Sequence, residues 1–152
     1  MVRLLSTSRP KKRRPRLRNI EAGLWSDLKT SLPKIGRPVE LTRIESHSTP
    51  GIPDVLCCNE NGVFSFIELK VLHGTSKKVA LSPHQVSWQV RHSHSRTFVV
   101  IRPPDLSLHV HLGSSSVDLC MDGLTSVPAL QVFESPIDYE EFWELTCSAQ
   151  WV

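Results

Sequence analysis

Asp54, Glu68 and Lys70 fall within "PGIPDVLCCNENGVFSFIELKV", residues 50–71, a stretch otherwise apolar and rich in β-prone residues. Strands of this composition fill cores, where charged side chains seldom lie without a partner. Two carboxylates held within a few ångströms repel unless one is protonated or a cation lies between them. Oxygen donors that leave coordination positions to water and phosphate suit Mg²⁺ or Mn²⁺. A lysine beside them can orient a water or stabilise charge developing on phosphate.

That chemistry requires one hairpin register. A two-residue Asn61-Gly62 turn sets Asp54 opposite Leu69 and points the carboxylates apart. A three-residue loop, Glu60-Asn61-Gly62 with Gly62 left-handed, pairs Asn59 with Val63 and hence Asp54 with Glu68. Lys70 then joins the same face, because strand side chains alternate. The plainer alternative is a surface ion pair between Glu68 and Lys70, with Asp54 in a turn after Pro53. The register favours the site.

The surrounding elements must position this hairpin. "NIEAGLWSDLKTSL" repeats Ile20, Leu24 and Leu28 at helical spacing, with Asn19 as its N-cap and Pro33 and Gly36 as its end. "VELTRIE", residues 39–45, alternates as a strand does, and "SHSTPG" reads as a loop. Strands follow over about 53–59 and 63–71. "LSPHQVSWQVRHS" then starts a second helix, with Ser82 as N-cap and Pro83 at the first helical position. "RTFVVIRPPD" and "LSLHVHLG" form a hairpin, residues 113–128 form the least structured part of the body, and "ALQVFE" is a short strand. Ser135 and Pro136 open a last helix, "SPIDYEEFWELTCS". This order predicts a mixed α/β or α+β domain.

The chain has 152 residues and a net charge of +3, which fits one domain with a real core. No apolar run reaches the roughly 18–20 residues needed to span a bilayer, and the start lacks the apolar stretch of a secretory signal. An intracellular, soluble protein is expected, in a bacterial or host-cell cytoplasm, or nuclear if the basic start is an address. The charge is divided: residues 1–18 hold eight of eighteen Lys and Arg and none of fifteen acids, leaving −5 for residues 19–152. This arm (with Lys11, Lys12, Arg13, Arg14, Arg16 and Arg18) cannot pack a core and is expected to be disordered alone. Neutralising nucleic-acid phosphates and serving as a targeting tail both fit it. The cysteines Cys57, Cys58, Cys120 and Cys147 show no CxxC pairing and read as reduced thiols.

"GIPD", thirteen intervening residues and "ELK" resemble the PD-(D/E)xK nuclease superfamily, in the form found in archaeal-type Holliday junction resolvases and virus-type replication-repair nuclease (VRR-NUC) modules. The resemblance runs from about Glu21 to about Ile101. It implies a restriction-endonuclease-like core, a central mixed β-sheet flanked by helices, occupying about residues 19–112 of a single nuclease domain; the C-terminal strand and helix, over about 129–147, are read from the residues alone. It assigns Asp54, Glu68 and the backbone carbonyl of Leu69 to a divalent metal, Mg²⁺ or Mn²⁺, with Glu21 of the first helix contributing directly or through water. Lys70 matches the family's lysine, and Gln85 matches the glutamine of "LSPHQVSW". Arg43, with Ser46 or Ser48, matches the resolvases' arginine and serine before the aspartate, and would contact DNA. The last fifty or so residues match nothing in the family.

The implied activity is metal-dependent cleavage of phosphodiester bonds in DNA. The first expectation is a structure-selective endonuclease most like a Holliday junction resolvase, acting on branched DNA as a homodimer. The alternative is a VRR-NUC-type nuclease of flaps, ends or other branches. The reading from a different class is a DNA-binding protein that keeps the fold without cutting. His109 with His111, and His92 with His94, lack a completing carboxylate or cysteine and read as surface histidines. His47 and His84 read as exposed, and Trp25 and Trp88 as core. The helix "DYEEFWE" would be repelled by DNA, and its Phe142, Trp143 and Leu145 would pack on the body or on a second subunit.

Overall fold

The computed structural model describes residues 18–147. They form α1 (Arg18–Ile35), β1 (Glu40–Arg43), β2 (Val55–Cys58), β3 (Phe64–Val71), α2 (Pro83–Arg91), β4 (Thr97–Arg102), β5 (Leu108–Leu112), α3 (Ser116–Asp122), β6 (Gln131–Phe133) and α4 (Tyr139–Cys147), with a 3₁₀ turn, Gly113–Ser115, before α3. The six strands make one mixed sheet in chain order, β1 to β6. Every neighbouring pair is antiparallel except β3 and β4, which run parallel and are joined by α2. This is an α+β fold. No helix among the described residues is long and apolar enough to cross a membrane.

"TFVVIR" explains the centre of the sheet: its near-continuous apolar run is buried on both faces, as a strand covered from two sides must be. On one face, Leu24, Leu28 and Leu32 of α1 and Phe142 and Trp143 of α4 pack on Ile67, Leu69, Phe98, Val100, Leu108 and Val110. On the other, Val99 and Ile101 meet Leu119 of α3, with Leu72, Val79, Leu81, Leu124 and Val127. α4 therefore packs on the body, where Trp143 Nε1 donates to Ser31 Oγ at 2.8 Å.

Several boundaries differ from the sequence reading. Pro33 lies inside α1, where it forfeits only the bond its own N–H would make in the last turn. The helix ends at Gly36, whose left-handed backbone (φ 66°) lets its N–H reach the Leu32 carbonyl at 3.1 Å. Asn19 sits within α1 rather than capping it, and Arg18 is the helix's first residue rather than the arm's last. Residues 113–128 are more ordered than expected. Ser116 turns its hydroxyl back to the Gly113 carbonyl at 2.7 Å, and Leu119, Leu124 and Val127 supply a buried face. α4 starts at Tyr139, capped by Asp138, whose carboxylate accepts from the Glu141 N–H at 3.0 Å. His111 is not a surface residue: it is 1% exposed and faces the α3 side of the sheet.

Candidate active site

The β2–β3 hairpin sets the geometry. Cys58 pairs with Phe64 and Val55 with Ile67. The loop is Glu60-Asn61-Gly62, closed by Asn59 N–H to Val63 carbonyl at 3.1 Å, with Gly62 left-handed at φ 73°. Asn59 locks the turn: its Oδ1 accepts from the N–H groups of Asn61 and Val63, both at 2.9 Å, while its Nδ2 donates to the Cys147 carbonyl at 2.8 Å. One step beyond Val55 and Ile67, the register brings Asp54 opposite Glu68. β2 ends there.

Asp54 takes over the ladder with its side chain, accepting the Leu69 N–H on Oδ2 at 2.9 Å. Pro53 stands opposite Leu69 in the continued register and has no N–H to direct at the Leu69 carbonyl. The proline therefore spares an acceptor on the edge where Asp54 sits. Just before it, Gly51 has φ 92°, and a Cβ there would run into the His84 carbonyl. Only glycine lets this loop lie on the start of α2.

Glu68 is 1% exposed. Its Oε1 accepts from Gln85 Nε2 at 2.6 Å and pairs with Lys70 Nζ at 3.2 Å. Gln85 is fixed by the helix start itself. Its Oε1 accepts the Ser82 N–H at 2.9 Å, while Ser82 Oγ accepts the Gln85 N–H at 3.2 Å, a complete capping box. With the carbonyl end committed to Ser82, the amide nitrogen is left for Glu68.

Glu68 Oε2 is buried with no hydrogen-bond partner among the described residues. Burial, and next the charge of Asp54, push the Glu68 carboxyl up to about 8; Lys70 opposes the rise and Glu21 adds to it. Glu21 is exposed and shares a cleft with Lys70. A divalent cation is the species that would give Oε2 a partner and hold both carboxylates ionised. No ready-made cage of three or more His, Cys, Asp or Glu occurs among the described residues. The oxygen atoms that could hold a hard cation here are those of Asp54, Glu68 and the Leu69 carbonyl, with Glu21 in the cleft beside Lys70.

No protein-family model matches the chain, and no curated protein matches it. Solved structures similar to it include the following two. One is a VRR_NUC domain, 22% identical, covering 53% of this chain and 82% of that one, with a TM-score of 0.42. The other is Hjc from Archaeoglobus fulgidus, a Holliday junction resolvase from an archaeal hyperthermophile, 17% identical, covering 76% of this chain and 88% of that one, with a TM-score of 0.45.

The fold thus brings together Asp54, Glu68, Lys70 and Gln85, with Glu21 beside them. It does not bring Arg43 to them. Arg43 pairs with Val55, and Val55 with Ile67, so its side chain lies on the opposite face, its guanidinium over the Trp25 ring at 5.6 Å. Ser46 accepts the Thr49 N–H at 3.0 Å in a local turn, and Ser48 is exposed in the same loop. Lys11, Lys12, Arg13, Arg14 and Arg16 lie outside the described residues. Trp88 is core, stacked on His92 with centroids 3.9 Å apart, and Trp25 is half-buried under Arg43. Sequence reasoning passed over Pro53 and Gly51, although a glycine two residues before a Pro-Asp pair is a readable turn signal.

Proposed function

We propose that this chain is a divalent-metal-dependent DNA endonuclease, most like a Holliday junction resolvase, that hydrolyses phosphodiester bonds in branched DNA. The observation that carries this reading is the Glu68 carboxylate, buried, opposite Asp54 and held by Gln85 and Lys70, with Oε2 unpartnered. Burying that carboxylate next to another opposes folding, and a protein that only bound DNA would gain nothing from carboxylates set against phosphate.

Asp54, Glu68 and the Leu69 carbonyl would hold Mg²⁺ or Mn²⁺, joined by Glu21 directly or through water. Such an ion supplies Lewis acidity and lowers the pKa of a bound water. The protein's own groups do the rest. Lys70, anchored at 3.2 Å on Glu68 with its side chain 15% exposed, presents ammonium protons to a water or a phosphate oxygen. It orients the attacking oxygen and stabilises the negative charge that builds on the phosphoryl oxygens. Gln85 neither gives nor takes a proton; its amide fixes the carboxylate that anchors Lys70. The basic arm would contact the phosphate backbone, adding affinity without sequence choice.

A two-fold junction needs paired cuts, which calls for a homodimer with two sites on one DNA. The contact from Gln85 to Glu68 favours a second reading, a VRR-NUC-type nuclease of flaps or ends, since that glutamine is the feature of the sequence most similar to those modules. Cleavage of a labelled four-way junction, a flap and a linear duplex, in Mg²⁺, Mn²⁺ or EDTA, tests both. Symmetric metal-dependent cuts in the junction, lost in Asp54→Asn and Lys70→Ala, are expected. Cutting confined to the flap or duplex would replace the first reading with the second. Binding without cleavage in any metal would leave a DNA-binding protein.

A further inference from the structure

The segment between β3 and α2, "HGTSKKVALS" over residues 73–82, has no strand or helix of its own, yet it is built into the fold. Leu72, Val79 and Leu81 are buried in the same core as α3. α3 and the residues after it hold the loop from behind: Leu124 N–H donates to the Lys77 carbonyl at 2.8 Å, and Cys120 Sγ lies 3.4 Å from the Leu81 carbonyl. Ser76 Oγ accepts the Lys78 N–H at 3.3 Å. With Val79 turned inward, Ser76, Lys77 and Lys78 are exposed.

One side of this loop forms a wall of a cleft of about 240 Å³, lined by Lys78, Ser76 and His73 and by Glu21 and Lys70 of the candidate site. No carboxylate among the described residues lies within ion-pair distance of Lys78. The site itself is rich in negative charge, with Asp54, Glu68 and Glu21 around one lysine, and a phosphodiester must approach it. A cationic wall on the same cleft, on a loop anchored at both ends, offers what such a strand lacks.

We infer that this loop is a phosphate-binding subsite: Lys78, with the Ser76 hydroxyl and His73 as further donors, holds the phosphodiester next to the one at Lys70. The inference rests on the nuclease reading above and adds where the strand runs, past the end of β3 and along residues 73–78. α3 then has a role, as the support that keeps this wall in place. Lys78 is a binding and positioning residue and takes no part in bond breaking.

The test has two readouts on the full chain. The first is binding of a labelled four-way junction in EDTA across a range of KCl, comparing wild type, Lys78→Ala, Lys78→Arg and Lys34→Ala, a lysine in the last turn of α1. Losing one phosphate contact lowers the slope of log affinity against log salt by about 0.9. That drop is expected in Lys78→Ala, with Lys34→Ala at the wild-type slope and Lys78→Arg restored. The second is cleavage of DNA carrying a neutral methylphosphonate at the linkage next to the cut. This should slow wild type about tenfold, the loss expected of one charge-assisted hydrogen bond, and slow Lys78→Ala no further. An unchanged slope in Lys78→Ala, or equal sensitivity to the methylphosphonate in both proteins, overturns the subsite. A wild type that binds but never cuts sinks the nuclease reading alone, because the salt slope still decides whether Lys78 meets a phosphate.

Discussion

Gln85 donates from Nε2 to Glu68 Oε1 across 2.6 Å while its own Oε1 accepts the Ser82 N–H at 2.9 Å, so one side chain both starts α2 and holds the carboxylate on β3. These two duties can be separated. Glutamate at the third helical position preserves a capping box, whereas alanine keeps only the Ser82 half of it. Gln85→Glu should therefore keep helix stability but set a third acid against Glu68 and depress cleavage at least tenfold. Gln85→Ala should also lose the reciprocal bond to the Ser82 N–H, about 0.5–1 kcal/mol in urea unfolding. Equal stability loss in both variants would show that the cap does not depend on this box.

Cation binding should follow the protonation of Glu68. With its carboxyl raised to about 8, each pH unit below that value leaves about tenfold less of the form that binds a metal. Titration calorimetry with Mn²⁺ should show affinity rising from pH 6 to 8 and levelling above, and Glu68→Gln or Asp54→Asn should abolish the heat. A pH-independent affinity in wild type would remove Glu68 from the ligand set.

The same shift makes metal-free stability fall with rising pH. The folded state keeps a proton that an unfolded glutamate releases near 4.5, so stability present at low pH is lost between about 4.5 and about 8. Glu68→Gln should be the more stable protein above pH 8, by on the order of 2–4 kcal/mol. The comparison is made by chemical denaturation in EDTA, and a parallel pH dependence in the two proteins would overturn it.

His111 pulls the other way. Burial holds its imidazole down to about 4, while an unfolded histidine takes up a proton near 6.5. Stability present above pH 6.5 is therefore lost as pH falls toward 4. His111→Leu should flatten this acid limb without touching the alkaline one, and a wild-type acid limb that survives the substitution would assign it to other groups.

Gly51→Ala should act on the site more than on the core. Its Cβ collides with the His84 carbonyl, and its φ of 92° disfavours any side chain. Relief requires the loop to move away from α2, taking Pro53 and Asp54 with it. We expect a loss of about 1–3 kcal/mol of stability and a drop in cleavage of about a hundredfold, the scale of an ångström misplacement. Cleavage that falls no more than the folded fraction would sink the idea.

Removal of residues 1–17, which leaves α1 whole from Arg18, should weaken DNA binding and flatten its salt dependence. An unchanged slope would show that the arm is not the electrostatic anchor.

The sequence alone determined what chain-local rules control. Glycine at the third loop position set the hairpin register, and strand alternation then placed Lys70 beside Glu68. The Ser82-Pro83 start with glutamine at position 85 announced a helix whose first turn could be trusted. These are short-range couplings, closed within a few residues. What lay beyond them only the tertiary structure decided. Arg43 is separated from β2 by an eleven-residue connection, residues 44–54, so no turn geometry fixed its register, and it fell on the opposite face against Trp25. α3 hid because Ser114, Ser115 and Ser116, before and at its start, read as a loop until Leu119 had a sheet to pack on. The burial of Glu68, the collision that demands glycine at position 51 and the cleft beside Lys78 each join segments distant in the chain. Such contacts depend on how the layers pack, which sequence periodicity does not encode.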